Sequence, residues 1–353
     1  MSGEHGQVST RPVVDVHAIE EELAEVRWKL RPDGEMDEAA QHAAAEARAN
    51  VLNLIVVVED ESGMEHVHRV LDGLSTHHPS RTLILLAQEE RQAVKLEASV
   101  SAQTRTDSGH RVTTEQVLLH AHGQVAAHLA SLVSPLLVPD LPVMLWWPGR
   151  PDFESQLFNE LADLCDRLVV DTDDRGVEPG RDFPLLLNVA RRRKARVAIG
   201  DFNWARLMPW RHLMAQFFDP PSVRSRLISA HGVTVWYGGE GSNAQALLLA
   251  LWVQSRLAAI GVPIPRELRY DPGLPHGVSR FMLYTGGEDG ISRFSIARAP
   301  GGRLTTQMRI GDQEQLGRTV AVAPRSADDL LAIELTIPGH DVLYEQALEA
   351  AVG

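Results

Sequence analysis

Short apolar runs alternate with helix-like stretches through the first 200 residues of the chain. The runs at 51–58 (VLNLIVVV) and 81–87 (RTLILLA) are nearly continuous, which is typical of strands covered on both faces. Between them, residues 64–74 carry apolar side chains at helical spacing. This alternation predicts a doubly wound, mainly parallel α/β sheet. Two adjacent strands at 94–104 and 115–122 predict an antiparallel excursion.

The same patterns predict the other elements of this half. They are a disordered tail over 1–12, helices over 15–30, 35–49, 125–137, 154–165 and 183–192, and strands over 143–147, 167–171 and 196–199.

Beyond residue 200 the pattern changes. Residues 201–219 predict a helix that Asp201 or Asn203 caps and that Pro209 divides, since proline is tolerated in a first turn but not inside a helix. From residue 277, clear alternation predicts antiparallel strands with one face solvated or covered by a partner. Helices over 223–230, 245–260 and 341–351 and a strand over 233–237 complete this half. We therefore expect a tail with helices over 1–50, an α/β Rossmann-like domain over 51–200, and an α+β domain with antiparallel strands over 201–353.

Composition narrows the functional classes. The chain has 353 residues and a formal net charge of −13, which disfavours general nucleic-acid binding but leaves room for a local basic patch. Its single cysteine, Cys165, permits no internal disulfide, so we expect a cytoplasmic protein in which this thiol is a small buried residue. The most apolar region, 129–147, is broken by prolines and predicts no membrane span.

The strongest functional signal is the stretch 200–219, GDFNWARLMPWRHLMAQFFD. Trp204, Arg206, Trp210 and Arg211 lie within eight positions, and tryptophan and arginine are enriched at binding hot spots between proteins. The alternative is that the two tryptophans belong to the core, with the arginines reaching water.

A second candidate surface follows the strand at 143–147. Trp146 and Trp147 alternate across that strand, so we expect one to be core and the other to lie near a surface or cleft. Arg150 falls at the carboxyl edge of the sheet, where open α/β folds bind ligands. We assign Trp147 and Arg150 to partner binding.

Two segments are candidates for a small ligand. Asp171 follows a buried strand, where a carboxylate can hold a ribose hydroxyl or a magnesium ion; the alternative is a solvated acidic loop. Gly239, Gly241 and Ser242 belong to the turn GGEGSN before a helix, where a phosphate can meet the helix N-terminus. The alternative is a tight turn in which Ser242 and Gln245 form a capping box.

The other polar clusters favour structural interpretations. His120 and His122 share a strand face without a third ligand at a recognisable spacing, so we expect no metal site. The basic run 191–196 could steer an acidic partner, but a solvated helix end explains it more simply. No catalytic motif is found, and we expect no catalytic residue and no cofactor.

The stretch 201–219 resembles the signature D-L-x-W-x-R-L-x-P-W-R-x-x-L-A-x-x-F-D of the OpcA family, the glucose-6-phosphate dehydrogenase assembly proteins, with Phe202 in place of leucine. Segments 48–56 (RANVLNLIV), 140–147 (DLPVMLWW) and 165–171 (CDRLVVD) resemble the same family in the same order.

The resemblance implies a non-catalytic protein of the oxidative pentose phosphate pathway. It would bind glucose-6-phosphate dehydrogenase and promote its assembled, active state by allosteric activation. Trp204, Arg206, Trp210 and Arg211 are the family residues that we place at the interface; alternatively, the motif holds the two domains together. A different class remains open, a sugar-phosphate- or nucleotide-binding enzyme or sensor.

Overall fold

The computed structural model describes residues 6–11, 16–29, 50–74, 78–88, 95–107, 110–174, 176–192, 197–239, 243–288, 290–315, 317–337 and 339–352. The chain forms two compact units. The first comprises Met1–Val170, Arg193–Ala198 and Ala327–Gly339, and the second comprises Asp171–Arg192, Ile199–Ser326 and His340–Gly353. Neither unit is therefore one continuous stretch of sequence. The boundaries expected at residues 50 and 200 stay predictions, and the helix predicted over 35–49 lies outside the described residues.

The described residues contain strands and helices in the following order. The strands are β1 (Gly6–Arg11), β2 (Leu52–Val58), β3 (Ser80–Gln88), β4 (Lys95–Asp107), β5 (His110–His122), β6 (Val143–Trp147), β7 (Arg167–Val170), β8 (Ala198–Asp201), β9 (Ala230–Gly238), β10 (Arg266–Tyr270), β11 (Gly277–Thr285), β12 (Ser292–Ala299), β13 (Arg303–Ile310), β14 (Gln313–Gln315) and β15 (Thr319–Ala321). The helices are α1 (Val16–Lys29), α2 (Glu61–Leu74), α3 (Leu129–Val133), α4 (Gln156–Leu164), α5 (Pro179–Arg192), α6 (Phe202–Arg206), α7 (Met208–Gln216), α8 (Pro221–Arg224), α9 (Ala244–Ala258), α10 (Ala327–Thr336) and α11 (Val342–Val352).

An eight-stranded sheet runs in the order β1-β4-β5-β3-β2-β6-β7-β8, and it lies in the first unit except for β8, of which only Ala198 belongs to that unit. The neighbours from β5 across to β7 are parallel, whereas β4 pairs antiparallel with both β5 and β1. Numbered along the chain, the five parallel strands lie in the order 3-2-1-4-5, as in a Rossmann fold. The predicted α/β class and the antiparallel excursion are confirmed.

Strand β2 shows why its sequence is nearly continuous in apolar residues. Every residue of it is buried, because the strand lies inside the sheet with parallel neighbours on both sides. Asn53 is the polar exception. Its side chain donates to the carbonyl of Val138 at 3.0 Å and accepts from the N–H of Val138 at 2.8 Å, so its burial leaves no hydrogen-bonding group unpaired.

A second sheet, of seven strands, lies in the second unit in the order β10-β9-β11-β12-β13-β14, with β15 also paired to β13. Its pairs are antiparallel except for β9 with β10. Helix α9 packs against this sheet and against α11. The antiparallel α+β character predicted for the C-terminal part is confirmed.

Several predicted elements are wrong in detail. The tail expected over 1–12 contains β1, which pairs with β4 and forms the edge of the sheet. The helix expected over 125–137 is two 3-10 turns flanking the short α3, with Pro135 at the start of the second turn. The helix expected over 223–230 is α8 followed by a 3-10 turn, and Ala230 already belongs to β9. The strands β10 and β14 and the helix α10 were not predicted.

The region predicted to be too interrupted for a membrane span is folded into the first unit. Among the helices of the described residues, none combines the length and the apolar character needed to cross a bilayer.

A buried ion pair joins β7 to α10 within the first unit. Arg167 Nη2 lies 2.5 Å from Glu334 Oε2, and the two side chains are 3% and 1% exposed. Arg167 also donates to the carbonyl of Gly339 at 2.8 Å. Removing one partner of a buried pair leaves an uncompensated charge in a low-dielectric site, which costs far more than losing an exposed pair.

We predict that Glu334→Ala lowers the free energy of unfolding by about 3–5 kcal/mol, measured by urea denaturation. The matched control is Glu349→Ala, because Glu349 pairs with Arg191 at 2.6 Å but the two side chains are 47% and 59% exposed. The control should change stability by about 0–1 kcal/mol. Equal losses in the two variants would contradict the assignment of the Arg167–Glu334 pair as a buried anchor.

Candidate functional site

Asp201 ends β8 and begins α6, and it is completely buried. Its backbone is extended, and its Oδ1 accepts a hydrogen bond from the backbone N–H of Asn203 at 2.9 Å. This is an N-cap, which satisfies one of the free N–H groups of the first helical turn. The predicted cap is therefore confirmed, and Asp201 supplies it.

The same carboxyl group binds two segments that are distant in sequence. Thr172 donates its N–H to Oδ1 at 3.1 Å and its hydroxyl to Oδ2 at 2.7 Å, and the hydroxyl of Tyr344 donates to Oδ2 at 3.0 Å. Burial, aided by the charge of Asp171, raises the pKa of Asp201 to about 7 against the opposing effect of the hydrogen bonds from Thr172 and Asn203. The hydroxyl partners of Oδ2 can reverse and accept a hydrogen bond, whereas the backbone N–H partners of Oδ1 can only donate.

Trp204 contacts an aromatic ring and a guanidinium group. Its ring centroid is 5.4 Å from that of Tyr344, and its Nε1 donates to Asp341 Oδ2 at 2.6 Å. On the indole, the guanidinium carbon of Arg211 is 3.5 Å from the ring centroid, and Arg211 Nη2 donates to the carbonyl of Trp204 at 3.1 Å. The indole therefore has both an N–H partner and a cation–π contact.

Arg206 forms a two-pronged ion pair with Asp171. Its two Nη atoms lie 2.7 and 2.8 Å from the two carboxylate oxygens, and Nη1 also donates to Asn203 Oδ1 at 3.1 Å. Burial by itself lowers the pKa of Arg206, but the hydrogen bonds and charge of Asp171 outweigh it and raise that pKa above its ordinary value. Asp171 is thus engaged within its own unit.

These contacts bear on the predicted interface residues. Trp204 and Trp210 are 2% and 4% exposed, while Arg206 and Arg211 are half-buried. Burial favours the alternative in which both indole rings belong to the core, and their assignment to a partner interface stays a prediction.

The second predicted surface lies in the first unit. The expectation that one of the two tryptophans approaches a surface is wrong, because Trp146 and Trp147 are 0% and 4% exposed. Trp147 packs edge-on against Phe158, with ring centroids 5.6 Å apart. Arg150 is half-buried, and its guanidinium lies 5.8 Å from the ring centroid of Phe153. Partner binding by Trp147 and Arg150 stays a prediction.

The turn after β9 is only partly described. Gly241 and Ser242 lie outside the described residues. Gly239 has φ of 81°, and a Cβ there would lie 2.5 Å from the Cα of His276, so this position requires glycine for conformation and for space. The structure gives Gly239 and Asp171 structural contacts, and ligand binding by this set stays a prediction.

The capping box predicted for α9 is wrong, because the side chain of Gln245 does not bond to the helix N-terminus. The N-cap of α9 is Asn243, which makes no side-chain capping bond. Gln245 is buried; its Oε1 accepts from the N–H of Val278 at 2.9 Å, and its Nε2 donates to Asn203 Oδ1 at 3.2 Å. Tertiary partners therefore take the side chain that the local spacing assigned to the helix end.

The turn from β2 into α2 occupies the place where a Rossmann fold holds a pyrophosphate. Here Glu59, Asp60 and Glu61 stand in sequence, and all three are exposed. Asp60 Oδ1 accepts from the N–H of Gly63 at 2.8 Å and from the hydroxyl of Ser62 at 2.7 Å, so the helix N-terminus already has an anion. Clustered carboxylates oppose a second anion at this position.

Two family models match the chain. One is described as the glucose-6-phosphate dehydrogenase subunit N-terminal domain and matches residues 72–185; the other is described as the C-terminal domain of that subunit and matches residues 197–348. The chain belongs to the OpcA family.

Three curated relatives have OpcA and the OxPP cycle in their names. The protein of Synechocystis sp. is 30% identical over 58% of this chain and 42% of its own length, and that of Nostoc punctiforme is 31% identical over 54% and 40%. The protein of Synechococcus elongatus is 28% identical over 78% of this chain and 67% of its own length. The chain thus spans less than half the length of the first two relatives.

A solved structure, that of the transcriptional regulator Gal80p from Kluyveromyces lactis, has a TM-score of 0.43 and 8% sequence identity over 84% of this chain and 85% of that chain. At that TM-score the likeness has no bearing on function.

The histidine pair of this OpcA-family chain lies at the carboxyl end of β5. His120 Nε2 and His122 Nε2 are 2.7 Å apart, and His120 also contacts Gln88 Oε1 at 3.3 Å. The shared strand face is confirmed. In the part of the chain that the structure describes, no group of three or more His, Cys, Asp or Glu side chains is arranged to hold a metal ion. Cys165 is completely buried, as expected.

The sequence patterns did not identify two residues that contact the OpcA motif, Asp341 and Arg325. Asp341 caps α11 by accepting from the N–H groups of Leu343 and Tyr344 at 3.1 and 3.0 Å, while its other oxygen holds Trp204. Arg325 donates to the carbonyl of Ala205 at 2.8 Å. The helix predicted from residue 341 indicates that Asp341 is a cap, but no local pattern indicates that Asp341 also binds Trp204.

We predict that Asp201 makes stability fall as pH rises. Its pKa is about 7 in the folded protein and about 3.9 in an unfolded chain, so the folded state binds the proton more tightly. The contribution to stability is therefore complete below about pH 4 and is lost as pH rises through about 7. Thermal unfolding at pH 5 and pH 8 should show a smaller difference for Asp201→Asn than for the unmodified protein.

Asp60→Asn is the control, because hydrogen bonds from Gly63 and Ser62 lower the pKa of that capping residue. Its contribution disappears at acidic pH, so this variant should keep the unmodified difference between pH 5 and pH 8. An unchanged pH dependence in Asp201→Asn would contradict the raised pKa.

We predict that the double variant Trp210→Ala/Arg211→Ala loses about 3–5 kcal/mol of stability, because it empties a buried indole site and removes the cation over Trp204. Exposed His212 provides the control, and His212→Ala should stay within about 0.5 kcal/mol. A fully stable double variant that fails to bind the partner would instead support the interface assignment.

Proposed function

We propose that this protein is a non-catalytic assembly factor and allosteric activator of glucose-6-phosphate dehydrogenase in the oxidative pentose phosphate pathway. The observation that carries the proposal is the match of two glucose-6-phosphate dehydrogenase subunit domains to residues 72–185 and 197–348. The names of the curated relatives, which contain the OxPP cycle, support the same pathway.

An assembly factor of this kind acts through a difference in its affinity for two arrangements of the enzyme. It must bind the active arrangement of the enzyme more tightly than the inactive one, since equal affinity for both shifts nothing. A preference of about 1.4 kcal/mol changes the ratio of the two arrangements tenfold. Such a factor requires a stable binding surface and no reacting group.

The site geometry supports this role over that of a dinucleotide enzyme. The first unit has the strand order of a Rossmann fold, but Glu59, Asp60 and Glu61 occupy the turn where the pyrophosphate would lie. A phosphate at that turn would meet carboxylates instead of free N–H groups.

The OpcA motif supports the role in a different way. Asp201, Trp204, Arg206 and Arg211 each bind partners within the second unit, so the segment from β8 through α7 has little freedom. A binding surface that is rigid before association loses less conformational entropy when the complex forms. We assign to the motif the role of keeping the binding surface rigid.

We predict that adding the full chain to the glucose-6-phosphate dehydrogenase of the same organism raises the initial rate of NADP reduction. The two proteins should also elute together on size exclusion. The chain alone, with glucose 6-phosphate and NADP, is the control and should give no rate. An unchanged rate together with an unchanged elution volume would sink the proposal, and turnover by the chain alone would identify an enzyme instead.

A further inference from the structure

The seven-stranded sheet of the second unit has one covered face and an open face that carries exposed side chains around the buried Thr234, Met282 and Ser295. Val235, Phe281 and Ile296 lie side by side on the covered face, and each is at most 1% exposed. On the same face, Phe294 packs against Phe217 and Phe218, with ring centroids 5.6 and 4.7 Å apart. Residues one position away along these strands point to the other face, because side chains alternate along a strand.

We define the open face by six of its residues, which the register places on one side of β9 to β13. They are Trp236, Arg269, Arg280, Tyr284, Arg293 and Arg309. All four arginines are exposed, and Trp236 and Tyr284 are half-buried. Tryptophan, tyrosine and arginine are the residues enriched at binding hot spots, and here they share one surface.

Trp236 is held by two cations. The guanidinium carbons of Arg269 and Arg280 each lie 5.3 Å from its ring centroid. These cation–π contacts fix the indole on the open face without burying it. The rigid aromatic side chain therefore presents contact area that costs little entropy to immobilise.

The charge on this face is only partly neutralised. Arg269 pairs with Glu267 at 2.9 Å, and Arg309 pairs with Asp312 at 3.3 Å. Within the described ranges, Arg280 and Arg293 form no ion pair. On a chain of net charge −13, two exposed arginines without an ion-pair partner give this sheet face local positive charge; the register places them on either side of Met282 and Ser295.

The chemistry of the face favours an acidic protein surface over other occupants. A second copy would bring the same arginines against each other in a symmetric dimer. Nucleic acid is disfavoured because the overall charge is strongly negative and because Glu267 lies among the arginines. A folded partner that presents carboxylates matches both the charge and the aromatic contact area.

We propose that the open face is the docking surface of this chain, and that its occupant is a carboxylate-rich surface of the dehydrogenase. This inference rests on the proposed function. Arg280 and Arg293 provide the electrostatic attraction, and Trp236 with Tyr284 provides the aromatic contact.

The test compares two variants of the full chain with equal charge changes. The first is Arg280→Glu/Arg293→Glu on the open face. The control is Arg69→Glu/Arg192→Glu, because these arginines are exposed on α2 and α5 rather than on the sheet. The dissociation constant for the dehydrogenase of the same organism is measured by calorimetry at low and high salt, and thermal unfolding confirms that both variants fold. If the double open-face variant is unstable, Arg293→Glu alone replaces it.

We expect the open-face variant to bind at least tenfold more weakly and to lose most of the salt dependence, while the control stays within about twofold of the unmodified chain. Unmodified binding by a folded open-face variant would overturn the docking surface and leave the proposed function intact. No binding by the unmodified chain would overturn the proposed function itself. Binding of a labelled RNA that only the open-face variant loses, with dehydrogenase binding unchanged, would assign the face to nucleic acid and overturn the inference.

Discussion

The carboxyl group of Asp201 lies where three separate segments of the second unit meet. It caps α6 through Asn203, accepts two hydrogen bonds from Thr172 in the loop after β7, and accepts one from Tyr344 of α11. A buried carboxyl group is costly unless donors surround it, so each of these segments must take one position for the group to be tolerated. The placement of the OpcA motif follows from that constraint. Tyr344 packs against Trp204, and the guanidinium group of Arg211 lies over the Trp204 ring.

Sequence alone predicted the parts of the fold that local patterns determine. Strands β2 and β6 were found because parallel strands inside a sheet are apolar along their whole length, and the cap at Asp201 was found because capping is a short-range rule. Strand β10 (RELRY) was missed because it has no continuous apolar run. It is recognisable as a strand only from its pairing with β9. Gln245 was misassigned because its partners, Asn203 and Val278, are distant in sequence.

The same limit explains why the two tryptophans of the motif were placed at an interface. Protein cores and binding hot spots both use tryptophan, so residue type does not separate them. What favours a core position for Trp204 is its contact with Asp341, a residue 137 positions later whose carboxylate accepts a hydrogen bond from the indole N–H. The alternation beyond residue 277, by contrast, correctly indicated strands, because a period of two is visible within a single strand, but burial follows that period only in part: seven of the nine residues of β11 are buried.

The buried motif and the open face are connected through packing. Helix α7 continues the motif beyond Pro209, and Phe217 and Phe218 at its end lie against Phe294 on the covered side of β12. On the opposite side of the same sheet lie Arg293 of β12 and Arg280 of β11. A packed core resists small displacements, so fixing α7 also fixes the strands that present these arginines. If the open face is the proposed docking surface, the tryptophans contribute to it without touching the partner, by holding the opposite face of the sheet in position.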